Sequence, residues 1–457
     1  MRKTFVIVGA GFSGTVLASN QLRNPPREGA DIVLIERGAS IGRGVAYAVH
    51  DHPYLLNVPA SRLSADSHDP AQFLRFAQSR LPAAAATDFL PRALYGDYLQ
   101  DLLLQAERAA RPDTRLQRVF GEVTAVVPLD NGRRLAAQVA GRESIAGDVV
   151  VLAFGNPSAP LPDWAHAVRE HAAFRHDPRD LPDTLSAQQS VLIVGNGLTM
   201  ADAASRLSRH PDRVPTLHTI SRRGLTPRTQ SHFQADAMRG DGEELLSKAH
   251  SLRQLLRACR TLAREVEKLG GDWRELVSYV RHLAPDLWRR MPHAERRRFL
   301  RHLQVHWDVH RHRLPPQLAE RIDALKRSGK LRIGAGRIEE IVARDRRFTV
   351  SWRPRGAKTS AEMTVDMIVD ATGPNYNIER SDDALINSLR AAGLVTPDPL
   401  NLGIRTAQFG ACVDGDGRVN EHLYYLGPML RAEHLDATAA AELAIHAERL
   451  AAHLTSG

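Results

Sequence analysis

The chain has 457 residues, of which 43% are hydrophobic and 25% are charged. This is ordinary globular composition over a length that accommodates more than one domain, so a wholly disordered chain, a collagen and a coiled-coil rod are excluded. Lys and Arg number 61 against 52 Asp and Glu, a net charge of +9. The arginines are dispersed along the chain, which is typical of a solvated surface, and we expect no nucleic-acid partner.

Cysteine usage and hydropathy restrict the class of protein further. The two cysteines, Cys259 and Cys412, exclude a disulfide framework and a Cys-x-x-Cys redox pair. No segment approaches the roughly 20 apolar residues of a membrane helix. The apolar run after Met1 leads into glycines and not into a cleavage site, so we interpret it as a strand and not as a signal peptide. We therefore expect no membrane partner and a cytoplasmic location.

The chain begins with a strand–turn–helix–strand pattern. Apolar residues 4–8 and 31–35 predict two buried parallel strands, with a helix ending near Leu22 between them. The turn between the first strand and the helix carries three spaced glycines, and Glu36 closes the second strand. These glycines are Gly9, Gly11 and Gly14.

Each glycine of this turn has a separate physical purpose. Gly9 permits the tight turn out of the strand, Gly11 lets main-chain N–H groups approach a pyrophosphate, and Gly14 lets the helix pack closely on the strand. Glu36 lies where a carboxylate can accept hydrogen bonds from ribose hydroxyls. The pattern predicts a dinucleotide site; the alternative is an ordinary glycine-rich turn with a surface glutamate.

The pattern recurs in the middle of the chain. Residues 191–194 and 216–220 predict two more parallel strands, with Gly195 and Gly197 in the turn between the first of them and a helix. Met200 takes the place of the third glycine. The phosphate turn is therefore retained, while looser packing of helix on strand is expected.

Two arginines occupy the position that Glu36 has in the first unit. Arg222 and Arg223 follow the strand directly. A guanidinium binds a 2′-phosphate bidentately, whereas a carboxylate repels it, so the pair favours NADPH over NADH. The alternative is a solvated arginine pair in an arginine-rich chain.

Both units are followed by a small β meander and one buried strand. Residues 121–139 precede the apolar strand in 148–155, and residues 336–352 precede the strand in 366–374. Each strand stops at a glycine, which predicts that each returns the chain to a nucleotide-binding sheet.

We predict an α/β fold with two Rossmann-like dinucleotide-binding domains. The first domain is discontinuous, formed by residues 1–160 and 345–457. The second covers residues 183–344 and carries a helical insertion at about 241–330, where strong turn signals are rare.

Three histidines, His302, His306 and His310, are spaced for one face of a helix. Such spacing is compatible with a metal site. The surrounding arginines repel a cation, so we interpret this stretch as a packing helix with a basic edge and predict no metal.

Together these motifs resemble the two-dinucleotide-domain flavoproteins. More narrowly, the chain resembles the FAD/NAD(P)-binding family that includes a bacterial FAD-dependent urate hydroxylase and an L-aspartate N-monooxygenase. The segments that carry the resemblance are Gly9–Gly14, Glu36, Gly42–Tyr47, Leu56–Ala60, Gly195–Asp202, Ser221–Gly224, Trp307–Arg313 and Asp370–Pro374.

The resemblance implies a set of residues for each cofactor. Those implied for FAD are Gly9, Gly11, Phe12, Ser13, Gly14, Glu36, Arg37, Asn57, Val123, Asp370, Thr372 and Gly373. Those implied for NADPH (or NADH) are Gly195, Gly197, Thr199, Arg222 and Arg223. One departure concerns the Gly-Asp pair that holds the flavin ribityl chain in many related flavoproteins, because Gly427-Pro428 stands in that region.

The activity implied by the resemblance is that of an NAD(P)H- and O2-dependent flavin monooxygenase acting through a C4a-hydroperoxyflavin. Urate is the expected substrate, in purine catabolism, and an amino-acid amine such as that of aspartate is the alternative. Both substrates are anionic, which suits a basic pocket. The pocket residues expected are Arg228, His232, Arg311 and His312. An NAD(P)H:acceptor oxidoreductase and a non-catalytic flavin-binding sensor remain open, and neither an acid–base residue nor an oligomeric state is assigned.

Overall fold

The computed structural model describes residues 2–48, 51–156, 159–231, 241–435 and 437–456. The strands in chain order are β1 Lys3–Val8, β2 Ala30–Glu36, β3 Thr114–Phe120, β4 Val123–Leu129, β5 Arg134–Val139, β6 Ile145–Gly147, β7 Val149–Leu152, β8 Phe174–Arg175, β9 Ser190–Val194, β10 Thr216–Ser221, β11 Leu331–Arg344, β12 Arg347–Pro354, β13 Ala361–Val365, β14 Met367–Asp370, β15 Ala411–Val413 and β16 Val419–Tyr425. The α-helices are α1 Phe12–Arg23, α2 Gly44–Tyr47, α3 Gln72–Arg80, α4 Arg92–Arg108, α5 Leu198–Leu207, α6 Asp241–Ser247, α7 Leu252–Lys268, α8 Trp273–Arg290, α9 His293–His302, α10 Gln304–Arg311, α11 Pro316–Arg327, α12 Ala384–Ala391 and α13 Ala440–Ser456.

The chain divides into two compact units. The first consists of residues 1–160, 283–290 and 374–457, and the second of residues 161–282 and 291–373. The predicted α/β class with two dinucleotide-type domains is confirmed.

The first unit is built on a six-stranded sheet of order β15-β16-β7-β1-β2-β3. All neighbours are parallel except β15, which pairs antiparallel with β16. The central strands are buried on both faces, as expected of parallel strands with helices on both sides, which explains their continuous apolar runs. Strands β4, β5 and β6 form the separate antiparallel meander that the sequence predicted.

The second unit is built on a seven-stranded sheet of order β13-β12-β11-β10-β9-β14-β8. The strands from β11 to β8 are parallel, and β12 and β13 extend the sheet as an antiparallel edge. Helices α5 and α11 pack on one face, where their apolar side chains form a core with β9 and β10. Helices α6 to α11 fill the region predicted as a helical insertion of the second domain, but residues 283–290, at the end of α8, belong to the first unit.

The pairing of β14 corrects the expected domain boundary. Residues 345–373 were expected in the first domain, but β12 and β13 continue from β11, and β14 pairs with β9. The register joins Asp370 to Val194, next to the second glycine turn. Asp370, Thr372 and Gly373 therefore belong to the second unit.

None of the described helices combines the length and the apolar character that a membrane span requires.

Candidate nucleotide-binding sites

The first glycine turn has the geometry that its spacing predicts. Gly9 has a φ of +103°, and a Cβ placed on it would lie 2.8 Å from the carbonyl oxygen of Ala153. A Cβ on Gly14 would lie 1.9 Å from the carbonyl oxygen of Gly9. At Gly11, in contrast, the nearest atom to such a Cβ is the Cα of Gly44, at 3.5 Å. Gly9 and Gly14 are therefore required by packing, whereas Gly11 leaves space above the turn.

Helix α1 begins at this turn without a competing anion. Gly11 is its N-cap residue, no side chain caps it, and its first turn contains no acidic residue. The first N–H groups of a helix have no intrahelical partners, and the helix dipole adds a partial positive charge there. The arrangement suits a phosphate.

Glu36 links the end of β2 to the turn. Its Oε2 accepts a hydrogen bond from the N–H of Ala10 at 2.8 Å, and its Oε1 accepts one from the N–H of Gly38 at 2.8 Å. Each carboxylate oxygen retains a second lone pair. The carboxylate is thus held in one orientation and can still accept from a ribose.

The other residues expected at this site differ in burial and in their contacts. Phe12 stacks on Tyr95, with ring centroids 6.3 Å apart, and Ser13 is buried in the first turn of α1. Val123 is buried at the start of β4. Arg37 is 53% exposed and lies 3.9 Å from a carboxylate oxygen of Asp383.

Asn57 lies a few residues before the short 3-10 helix Ala60–Arg62, in the described segment 51–156. Its side chain is half-buried and makes no hydrogen bond within the part of the chain that the structure describes. The loop itself is anchored, because the N–H of Leu56 donates to the carbonyl of Leu90 at 2.8 Å. Asn57 is therefore a positioned amide with free hydrogen-bonding capacity.

The second glycine turn repeats the geometry of the first. Gly195 has a φ of +118°, and a Cβ there would lie 2.2 Å from the carbonyl oxygen of Ala371. A Cβ on Gly197 would meet nothing within 4 Å. Helix α5 starts at Gly197 without a side-chain cap or an acid in its first turn. Met200 is fully buried in the core, so its larger side chain is accommodated beneath the helix.

Asn196 was not singled out from the sequence, although it lies between the two glycines of this turn. Its side chain is 4% exposed, and neither the amide nitrogen nor the amide oxygen has a hydrogen-bond partner among the described residues. A buried amide without partners is costly. The polar character of the turn is thus greater than the glycine pattern alone indicates.

The arginine pair at the end of β10 is divided between two environments. Arg222 is exposed and has no partner among the described residues, whereas Arg223 donates from Nη1 to Nε2 of His306 at 3.1 Å. Partial burial lowers the pKa of His306, and the positive charges of Arg223, His310 and Arg355 lower it further. The strand therefore ends in a cationic cluster with one free guanidinium.

Asp370 has a structural role in the second unit. Its side chain is buried, its Oδ1 accepts from the N–H and the hydroxyl of Thr372 at 3.0 and 2.7 Å, and its Oδ2 lies 3.0 Å from Nδ1 of His176. These contacts fix the turn that ends at Gly373, which has a φ of +86°. His176 is a partner that no sequence pattern indicated.

A basic and aromatic cavity of about 570 Å³ lies among the helices of the second unit. Arg228 lines it, as expected for a pocket residue, together with His310 and Trp273. Arg274 stacks 4.4 Å from the centroid of Trp273. Arg311 and His312 are not among its lining residues; they contact each other, with Nη1 and Nε2 2.6 Å apart. His232 lies outside the described residues.

The three spaced histidines do not share one helix. Helix α9 ends at His302, Leu303 interrupts it, and α10 carries His306 and His310. The described residues contain no group of three or more His, Cys, Asp or Glu side chains that could hold a metal ion.

Comparison with known proteins finds a sequence match for most of residues 1–160 of the first unit and similar folds for the whole chain. Residues 6–157 match a family model described as FAD-NAD(P)-binding. No curated protein matches the chain. Solved structures similar over 100% of this chain include the FAD-bound cadaverine monooxygenase of Erwinia amylovora (14% identity, TM-score 0.66, 95% of that chain covered).

For two further similar structures, the similarity extends over 99% of the other protein's chain. One is the ornithine hydroxylase of Pseudomonas aeruginosa, with 15% identity and a TM-score of 0.64. The other is the L-lysine 6-monooxygenase of Pseudomonas syringae, with 16% identity and a TM-score of 0.62. At these identities the similarity establishes a common fold.

Proposed function

We propose that the chain is a flavin-dependent monooxygenase that binds FAD on its first unit and NADPH on its second. One observation carries the proposal: two strand–glycine–helix turns occur, each with an uncapped helix start. Glu36 is fixed beside the first turn, and Arg222, beside the second, has no partner among the described residues. A carboxylate suits a ribose and a free guanidinium suits a 2′-phosphate, so the two sites are complementary to two different dinucleotides.

The first unit offers FAD a main-chain cradle and several side chains. The N–H groups at the start of α1 face its pyrophosphate, and Glu36 accepts from its adenosine ribose. The match of residues 6–157 to an FAD-NAD(P)-binding family supports this assignment. The residues proposed to contact FAD are Gly9, Gly11, Phe12, Ser13, Gly14, Glu36, Arg37, Asn57 and Val123.

The second unit offers NADPH the equivalent cradle with a basic end. The residues proposed are Gly195, Gly197, Thr199, Arg222 and Arg223. Asp370, Thr372 and Gly373 support this turn from the neighbouring strand, because a Cβ on Gly195 would strike the carbonyl of Ala371. NADH, without a 2′-phosphate, would leave the free charge of Arg222 unused.

The glycine turn and Glu36 of the first unit would hold FAD, which would supply two-electron redox chemistry with NADPH and the transfer of one atom of O2 to a nucleophilic substrate. Overall, substrate, NADPH, H⁺ and O2 yield hydroxylated substrate, NADP⁺ and water. The protein's part is to align the reactants and to keep bulk water away from the reduced cofactor. The absence of an obvious catalytic triad from the sequence is consistent with such a division of labour.

We propose a primary amine of an amino acid or a diamine as the group hydroxylated. The similar structures are named for ornithine, lysine and cadaverine, all of which are amines. They favour the aspartate-type alternative over urate, for which they provide no support. Arg228 lines the second-unit cavity, its side chain has no ion pair among the described residues, and it remains a candidate for a substrate carboxylate.

The proposal is tested by mixing FAD-loaded protein with NADPH, O2 and one candidate at a time. The candidates are aspartate, ornithine, lysine, cadaverine and urate. We expect an amine to accelerate consumption of NADPH and O2 and to yield a hydroxylamine. Urate-dependent consumption with a hydroxylated purine would restore the first expectation from sequence. NADPH-dependent reduction of a quinone without substrate oxygenation would indicate an acceptor reductase. Bound FAD without any oxidation of NADPH would favour a non-catalytic flavin-binding sensor.

A further inference from the structure

Arg431 is a partly buried arginine that has no counter-ion among the residues that the structure describes. It lies in the short 3-10 helix Pro428–Ala432, directly after β16. Its guanidinium carbon is 4.6 Å from the ring centroid of Tyr376, and its Nε is buried without a hydrogen-bond partner in the described chain. No carboxylate of the described residues forms an ion pair with it. Buried charges in proteins are usually paired, so this uncompensated cation calls for an anion.

A series of contacts connects the neighbourhood of Arg431 to the first glycine turn. The Tyr425 hydroxyl donates to the carbonyl of Phe154 at 3.2 Å and accepts from the N–H of Met429 at 3.2 Å. Phe154 in turn borders Gly9, because a Cβ on Gly9 would lie 2.8 Å from the Phe154 nitrogen. Burial raises the pKa of Tyr425, and the adjacent Tyr376 phenol raises it further.

Arg431 therefore lies at the carboxyl-end edge of the first sheet. Leu426, just past β16, donates from its N–H to the carbonyl of Leu152 at the end of β7, at 2.9 Å. Ligands of open α/β sheets bind in the crevice at this edge. The aspartate expected near here from related flavoproteins is replaced by Pro428, and a cation follows three residues later.

We propose that Arg431 compensates the negative charge that FAD acquires on reduction. A hydride brings two electrons and one proton, so the reduced flavin carries one additional negative charge until it takes up a second proton. A planar guanidinium can donate two parallel hydrogen bonds to the anionic N–C=O edge. Tyr376 holds the guanidinium by stacking and leaves its N–H edge free. This inference rests on the proposed binding of FAD to the first unit.

The test is the midpoint potential of the FAD-loaded protein as a function of pH. A reduced flavin that stays anionic takes up one proton per two electrons, and its potential falls by about 30 mV per pH unit; uptake of two protons gives about 59 mV. We expect the shallow slope for the natural protein from pH 6 to pH 9. In Arg431→Gln, the pH at which the slope changes should rise by at least one unit, a tenfold gain in proton affinity.

Two further variants separate charge from structure. Arg431→Lys retains the positive charge and should restore most of the shallow slope. Arg115→Gln should leave the profile unchanged, because Arg115 is exposed on β3, the opposite edge strand of the same sheet, and has no partner that the structure describes.

The failures of the two proposals are distinguishable. A natural protein that takes up no FAD would contradict the proposed function itself. FAD binding with the same slope in Arg431→Gln as in Arg115→Gln would overturn only the role of Arg431. Loss of FAD from both Arg431→Gln and Arg431→Lys would also overturn it, because the residue would then be structural.

Discussion

Glu36 and Ala10 are joined by a 2.8 Å hydrogen bond from the main-chain N–H of Ala10 to a carboxylate oxygen 26 residues later. The bond ties the end of β2 to the glycine turn. The second carboxylate oxygen accepts from Gly38, so the side chain is oriented before any ribose arrives. Preorganisation of this kind reduces the entropy lost on binding.

We expect Glu36→Gln to weaken FAD binding by about 10- to 100-fold, in line with about 1.5–3 kcal/mol for a hydrogen bond to a charged group. The amide nitrogen cannot accept, so either the turn or the ribose loses a partner. Flavin fluorescence titration measures the affinity. Glu143→Gln serves as the control with the same charge change, because Glu143 is exposed and its side chain has no partner in the described part of the chain. Equal affinities for the two variants would argue against the ribose contact.

Substitution of the glycines of the first turn should have two different effects, loss of stability at Gly14 and loss of FAD binding at Gly11. Gly14→Ala places a Cβ 1.9 Å from the carbonyl oxygen of Gly9 and should destabilise the fold, by about 1–3 kcal/mol or more. Gly11→Ala meets only the Cα of Gly44, at 3.5 Å, and should unfold like the natural protein while losing FAD. Thermal unfolding and flavin content together check this. A Gly11→Ala protein with normal FAD content would show that the pyrophosphate does not approach Gly11.

Arg222 should determine the choice of nicotinamide cofactor. Because it has no partner among the described residues, Arg222→Gln should leave stability unchanged. We expect kcat/KM for NADPH to fall about 10- to 100-fold, as for loss of a charge-assisted hydrogen bond, and that for NADH to be unaffected. Arg327→Gln is the control, because Arg327 is exposed at the end of α11 and has no side-chain partner within the described ranges. An equal fall in kcat/KM for NADPH and for NADH would show that Arg222 does not bind the 2′-phosphate.

His446 should make the protein less stable in acid. Burial lowers its pKa from 6.5 to about 4, and the charges of His434 and Arg449 contribute. Between these two values the unfolded chain binds a proton that the native protein does not, so stability is lost as the pH falls from 6.5 towards 4. The full shift corresponds to about 3 kcal/mol.

Urea unfolding at pH 7 and at pH 4.5 measures this loss. His446→Leu should lose less stability between the two pH values than the natural protein, by most of that amount. His302→Leu, at an exposed histidine, should show the natural pH dependence. If His446→Leu retains the full pH dependence, His446 is not the group that titrates.

The strands and turns of both nucleotide units could be predicted from sequence because their determinants are local. Continuous apolar runs such as residues 4–8 and 191–194 reflect burial on both faces of a parallel sheet. The positive φ values of Gly9 and Gly195, +103° and +118°, follow from the tight turn that each must make. Such features depend on a few neighbouring residues.

The features that were not predicted depend on contacts between distant parts of the chain. The sequence of residues 367–370 predicts a buried strand that leads to a glycine, but it does not indicate that the strand pairs with β9. The orphaned amide of Asn196 and the pairing of His176 with Asp370 likewise need three-dimensional information. The prediction that the three histidines share one helix was wrong for a local reason. Leu303 separates α9 from α10, and a periodic pattern does not reveal such an interruption.

The central claim is that this polypeptide holds FAD on one unit and NADPH on the other and passes a hydride between them. Anaerobic titration of the purified, FAD-supplied protein with NADPH tests it most directly. We predict one tightly bound FAD per chain and complete bleaching of the flavin absorbance by one equivalent of NADPH. Protein that takes up no flavin, or bound flavin that neither NADPH nor NADH reduces, would contradict the claim.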